Sequence, residues 1–218
     1  MRPFTLFPSL WMQPLLLALL LLLPGHAGAG QPTEQLRPVV TQALSILKDP
    51  RYSGPNHSKT RLEQLRQALN PRFDFRFMAT KILGREWWQR MSTAQQDRFV
   101  DLFRRLLEQK YAQNIGDVGE PRVDFVGERV LRADQVVVVD TVATIKDVKV
   151  PMGYYMRMTR EGGWKVYDVE VAGDSTVLFY RNNIGAILGN SSVEDMLRKL
   201  EQKVNESSTP APAPPPAG

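Results

Sequence analysis

Residues 73–111 read FDFRFMATKILGREWWQRMSTAQQDRFVDLFRRLLEQKY. Large apolar side chains recur along this stretch at helical spacing, and no Cys, His or glycine-rich phosphate loop interrupts them. The spacing predicts a short helix over 73–83, with Gly84 as its C′ residue. Ser92-Thr93-Ala94-Gln95 is a capping-box pattern that opens a longer helix over 93–114. In that helix Phe99, Leu102, Phe103, Leu106 and Leu107 occupy i, i+3, i+4, i+7 and i+8, with Tyr111 a turn later. Asp97, Asp101, Arg104, Arg105 and Glu108 take the opposite side, so the element is strongly amphipathic. Such a stripe must cover something apolar, either the protein's own core or a ligand, and the spacing alone leaves that choice open.

Upstream, Leu36, Val39, Val40, Ala43, Leu44 and Leu47 form a helical stripe over 33–47, with Pro38 expected to delay its start. A Pro- and Gly-containing loop follows over 48–55. Ser58 is expected to cap a helix to Leu69 that carries Leu62, Leu65 and Leu69 on one side.

Downstream, period-2 and β-branched signals take over. Strands are predicted over 122–131, 135–145, 150–159 and 164–171, with the first two joined at Arg132-Ala133-Asp134 and the last two at Glu161-Gly162-Gly163. Connections this short make the sheet antiparallel. Asp174 or Ser175 is expected to cap a helix to Leu188, and Ser192 with Asp195 to open a last one to about Val204. Helices, then a sheet, then helices predict an α+β fold. Met152, Tyr154, Met156 and Met158 alternate onto one strand face, opposite Pro151, Gly153, Tyr155 and Arg157. Flexible Met side chains suit both irregular core packing and surfaces that accept varied partners. Val136 to Val139 is apolar on both faces, as in a central strand covered on both sides.

The chain starts with Arg2, an unbroken apolar run from Leu15 to Leu23, and the small residues Ala27-Gly28-Ala29. These are the three parts of a secretory signal, so residues 1–29 are expected to be removed near Ala29 and the rest exported. The apolar run is short of the roughly 20 residues that span a bilayer. With no cysteine in the chain, stability must come from a core rather than disulfides, and residues 30–206 suffice for one domain. Residues 207–218, all Ser, Thr, Pro, Ala and Gly, form a Pro-rich tail expected to be disordered. The formal net charge of +5 is interspersed along the helices rather than gathered in runs, which argues against nucleic acid. A mild positive field still favours anionic membrane surfaces.

Of two histidines, His26 leaves with the signal and His57 sits in a loop where exposure is expected. That removes the usual zinc sites, and no serine carries a G-x-S-x-G elbow. No metal or cofactor is expected. Asp74, Asp140 and Asp168 are the carboxylates most prone to burial, so an enzyme working through them on a small apolar substrate stays open as an alternative. The simpler expectation is that Asp74 caps its helix while the other two pair with Arg157 or Arg181. A third possibility is a structural interaction module with a filled interior.

Phe73-Asp74-Phe75, Met78-Ala79, Leu83-Gly84, Trp87 or Trp88, Gln95, Phe99, Phe103, Leu107 and Tyr111 together resemble the MlaC, or toluene-tolerance, family. Trp164 to Val169 is similar to that family's W-x-V-Y-D-V strand, and Ala172-Gly173, Ser175 and Tyr180-Arg181 follow its pattern with small shifts. The resemblance covers about Leu36 to Lys203. Asp174 stands where the family usually has an apolar residue, and Ile184 where an aromatic is more usual.

The resemblance implies an NTF2-like curved antiparallel sheet with a helical layer enclosing an apolar cavity. It implies a periplasmic phospholipid carrier and no enzyme. Acyl chains would lie in the cavity, and lipid would pass between an outer-membrane lipoprotein/porin complex and an inner-membrane lipid ABC transporter with its membrane-anchored substrate-binding subunit. A monomer is expected. The cavity wall is expected to comprise Met78, Leu83, Phe103 and Leu107 from helices, with Val138, Met152, Tyr154, Met156, Val166 and Val169 from strands. Tyr180 and Ile184 would close the mouth, and Arg181 would meet the headgroup or form a structural ion pair. Which strand faces point inward depends on register, because a one-residue slip exchanges them.

Overall fold

A computed structural model describes residues 31–52, 57–114, 121–132 and 135–208. The proposed signal, the Arg132-Ala133-Asp134 connection beyond Arg132, and the tail from 209 lie outside these residues.

Helix α1 spans Gln31–Lys48 and runs through Pro38 without delay. Pro38 removes one backbone hydrogen bond, but Leu36 and Val40 on the same helix are buried against the sheet, and that packing holds the helix together. Its first turn is tied down from a distance. Thr33 N–H donates to Glu128 Oε1 at 2.8 Å, so a strand carboxylate satisfies an N–H that a helix start leaves unpaired. Helix α2 spans Ser58–Leu69, and its N-cap position is His57, without a side-chain cap bond. The expected Ser58 cap is therefore displaced by one residue, Ser58 being the first helical position. His57 is exposed, as expected.

Helix α3 spans Phe75–Arg90, longer than the spacing predicted. Gly84 does not end it. With φ 73° and ψ 165°, Gly84 breaks the helix into two pieces that resume on either side, a backbone shape that glycine alone adopts without strain. Helix α4 spans Thr93–Asn114 as predicted. Its capping box is formed in both directions: Ser92 N–H donates to Gln95 Oε1 at 3.0 Å and Gln95 N–H to Ser92 Oγ at 3.2 Å.

Strands β1 (Arg122–Arg132), β2 (Val136–Ile145), β3 (Val148–Met158), β4 (Trp164–Val171) and the two-residue β5 (Asp174–Ser175) form a curved antiparallel sheet in chain order. Ser175 caps helix α5, Thr176–Leu188, accepting from Leu178 N–H at 3.0 Å. Helix α6 runs from Val193 to Ser208, several residues past the predicted end and into the segment expected to be tail. The architecture is α+β, as expected.

Two buried clusters result. One lies among α3, α4, α5 and α6 and includes Met78, Phe99, Phe103, Ile184 and Leu197. The other lies between α1 and one sheet face and includes Leu36, Val40, Val137, Val139, Met156 and Val166. Phe73 packs against both. It also bridges to Val166, and the neighbouring Asp74 N–H donates to Val166 O at 2.8 Å. The Phe-Asp-Phe motif is thus the seam between the two cores.

Candidate functional site: an apolar seam between two cores

The wall residues expected from sequence divide between the two clusters. Met78, Leu83, Phe103, Leu107, Tyr180 and Ile184 all belong to the helical core. Their positions follow from helical period: Val177, Tyr180, Ile184 and Leu188 make the buried stripe of α5. Phe99 and Phe103 stack at 6.2 Å between centroids, and Phe103 meets Tyr180 edge-on at 5.2 Å.

Met152, Tyr154, Met156, Val166 and Val169 belong to the layer between α1 and the sheet. Val166 and Val169 are three residues apart, which strict alternation would send to opposite faces. The pairing explains their agreement. Tyr154 faces Val169, Tyr155 faces Asp168, and Met156 then faces Val166, so Tyr167 is the extra residue of a β-bulge that restores the parity. Val138 departs from the expected wall. It pairs with Tyr155, on the face opposite Val137, Val139, Tyr154 and Met156, although it is fully buried. Alternation along β2 makes this unavoidable once Val137 and Val139 face α1.

The α1–sheet layer also holds residues outside the wall expected from sequence. Leu36, Val40, Val137, Val139 and Trp164 line the α1–sheet layer, and Phe73 joins the layers. The stripe of α1 and the period-2 valines carried that signal. Nothing local told that α1, remote in sequence, would cover this sheet face. Arg181 is exposed on α5.

The opposite sheet face mixes charged side chains with Val138, Val142 and Pro151. It holds a shallow depression of about 420 Å³ lined by residues that include Arg129, Asp140, Val142, Pro151, Gly153 and Glu170. Arg129 grips Asp140 with two bonds, Nε to Oδ2 at 2.6 Å and Nη2 to Oδ1 at 2.9 Å, and this contact raises the guanidinium pKa. Tyr155 Oη–H donates to Glu170 Oε2 at 2.9 Å, which raises the phenol pKa. Gly153 sits between Asp140 and Glu170, where an added Cβ would lie 3.2 Å from Val138.

The three carboxylates considered for catalysis are each committed to structure. Asp74 caps α3, Oδ1 accepting from Phe77 N–H at 3.0 Å, and its Oδ2 accepts from Arg157 Nη2 at 2.6 Å. Asp140 pairs with Arg129, and Asp168 accepts from Ser175 Oγ–H and from Val177 N–H. The expected partners Arg157 or Arg181 for Asp140 and Asp168 are thus corrected. Strand register sets them: Arg129 and Asp140 lie on neighbouring strands, and β5 delivers Ser175 to Asp168. Burial raises the Asp168 pKa, the two hydrogen bonds opposing it. Among the described residues, no group of three or more His, Cys, Asp or Glu is placed to hold a metal ion.

Residues 37–202 match the model of the MlaC protein family. The chain is 24% identical, over 155 residues, to the intermembrane phospholipid transport system binding protein MlaC of Haemophilus influenzae, covering 70% of this chain and 71% of that protein. Its fold is similar to the solved structure of the phospholipid-binding protein from Ralstonia solanacearum in complex with a phospholipid. That likeness has a TM-score of 0.74 at 25% identity, over 82% of this chain and 99% of the other. With three-quarters of its length matched by one family model, and the fold shared with a solved phospholipid-binding protein, the chain belongs to the MlaC family.

Proposed function

We propose that this protein is a periplasmic phospholipid carrier that holds acyl chains along the seam between its helical core and its α1–sheet layer. The observation that carries the reading is Phe73, packed against both apolar clusters at the point where α3 meets β4. Separating the layers there would expose continuous apolar surface on both sides. Met78, Leu83, Phe103 and Leu107 would form one wall, and Met152, Tyr154, Met156, Val166 and Val169 the other. Tyr180 and Ile184 would stand at the mouth. Each buried CH2 contributes about 0.8 kcal/mol, so two acyl chains are held without a cofactor or covalent step. The family assignment and a fold shared with a phospholipid complex support the same reading.

On this reading the chain is exported after cleavage near Ala29 and acts as a monomer, with phospholipid as cargo. It exchanges lipid with an outer-membrane lipoprotein/porin complex and with an inner-membrane lipid ABC transporter through that transporter's membrane-anchored substrate-binding subunit. It is not an enzyme. The separate structural use of Asp74, Asp140 and Asp168 favours binding over catalysis by those carboxylates.

Native mass spectrometry of the purified protein, with lipid extraction, tests the proposal. Co-purified phospholipid, or uptake from liposomes, is the expected result. Absence of both co-purified phospholipid and uptake would overturn it. Met156→Trp, checked for native circular dichroism, is expected to lower occupancy by filling the α1–sheet layer, and unchanged occupancy would remove Met156 from the wall.

A further inference from the structure

Helix α5 presents two adjacent large apolar side chains to solvent at its first turn, Leu178 at 54% exposure and Phe179 at 51%. Single exposed apolar residues are ordinary. This pair is distinguished by its surroundings. Lys110 Nζ, from α4, lies 4.7 Å from the centroid of the Phe179 ring, and Arg181 is exposed one position beyond Tyr180. From residue 172 to 193 the only acidic side chain is Asp174. The patch therefore combines an aromatic and an aliphatic tip with flanking cations.

Two other exposed apolar groups are present among the described residues: Ile145 and Val148, purely aliphatic and flanking the Lys146-Asp147 turn, and a set on β1 at Val126, Val130 and Leu131. Val126 and Leu131 stand at the two register shifts of that strand. Charges of both signs surround them there: Asp124, Glu128, Arg129 and Arg132. Side-chain type and charge together set the α5 patch apart: among the described residues it alone joins a large exposed aromatic side chain, Phe179, to flanking cations that complement an anionic lipid surface.

The α5 patch also connects to the interior. Phe179 meets Tyr180 edge-on at 5.2 Å, Tyr180 meets Phe103 at 5.2 Å, and Phe103 stacks on Phe99 at 6.2 Å. A chain of touching rings runs from half-exposed Phe179 to fully buried Phe99.

We propose that Leu178, Phe179, Lys110 and Arg181 form a docking patch for the surface of a bilayer carrying anionic phospholipid, with the two apolar tips entering the headgroup region and the two cations engaging phosphates. This goes beyond the carrier reading and is measured separately from lipid uptake.

The test is co-sedimentation of the mature protein with vesicles of phosphatidylglycerol and phosphatidylcholine, against vesicles of phosphatidylcholine alone, at low and high salt. Binding to the anionic vesicles that weakens with salt is expected. Leu178→Ser combined with Phe179→Ser should lower the partition coefficient on the order of tenfold, and Arg181→Ser about fivefold. Val126→Ser with Val130→Ser on β1 should leave it unchanged. All the substituted side chains are exposed, and native circular dichroism is required of each variant. No vesicle binding at low salt, equal binding to neutral and anionic vesicles, or binding unaffected by the Leu178/Phe179 pair would each overturn the proposal. The first of these outcomes, with a protein captured through Phe179 instead, would assign the patch to a protein partner. Lipid occupancy, read on the same samples by mass spectrometry, reports on the carrier function independently.

Discussion

Arg157 on β3 reaches Asp74 at the start of α3, with Nη2 2.6 Å and Nε 3.0 Å from the same carboxylate oxygen, while its guanidinium carbon lies 4.2 Å above the centre of the Phe77 ring. One carboxylate thereby caps a helix with Oδ1 and anchors that helix to the sheet with Oδ2. The contact lies beside Phe73, so it fastens the two apolar cores at the seam.

Breaking this contact should cost more than loss of a surface ion pair, because the side chains are only 28% and 14% exposed. Asp74→Asn keeps a capping residue and removes the charge, whereas Asp74→Ala removes both. We expect about 1–3 kcal/mol of destabilisation for Asp74→Asn and about 1 kcal/mol more for Asp74→Ala. Urea unfolding with Arg157→Ala in a double-mutant cycle measures the coupling. A coupling near zero would mean that the pair does not fasten α3 to β3.

Gly84 separates strain from crowding. A Cβ there would meet nothing within 4 Å, so the expected loss of about 1–3 kcal/mol in Gly84→Ala comes from its backbone conformation alone. Gly185 in α5 is the control: it also has open space around a Cβ and carries no positive φ. Gly185→Ala should gain about 0.5–1 kcal/mol. Opposite shifts in the thermal midpoint check both.

Asp168 provides a pH dependence with a defined sign. Burial holds its carboxyl above the usual range in the folded chain. Between the unfolded and folded pKa values the native state therefore binds more protons. The group's contribution is fully present below the unfolded value, about 4, and is lost as pH rises through the folded value. Asp168→Asn removes the titration. Its stability relative to the parent should increase as pH rises through that window and then level off. A pH-independent difference in urea midpoint would contradict this.

The β2–β3 hairpin turns at Lys146 and Asp147, with φ of 47° and 65°, between the paired residues Ile145 and Val148. Both central positions have the positive φ of a type I′ turn, where Asn-Gly is preferred. Lys146→Asn with Asp147→Gly should therefore raise stability by about 1 kcal/mol, read as a higher thermal midpoint with unchanged near-ultraviolet circular dichroism.

What the sequence alone determined is what depends on neighbours a few residues away. The capping box at Ser92 and Gln95, the stripe from Phe99 to Leu107, the Asp74 and Ser175 caps, and the bounds of β4 all follow from local period and local hydrogen bonding. The family resemblance, quoted from Phe73 to Arg181, carried the expectation of phospholipid, which period alone left undecided between core and ligand. Tertiary structure decided the rest. It set the bulge at Tyr167 that brings Val166 and Val169 to one face while alternation turns Val138 to the other. It set the Glu128 carboxylate that starts α1, and the choice of Arg157 for Asp74 and Arg129 for Asp140. It also decided that Phe73 sits between two cores. Each of these depends on strand register and on layers far apart in the chain. Repeat spacing shows that a residue has an apolar side, but only the packed partner shows what that side meets.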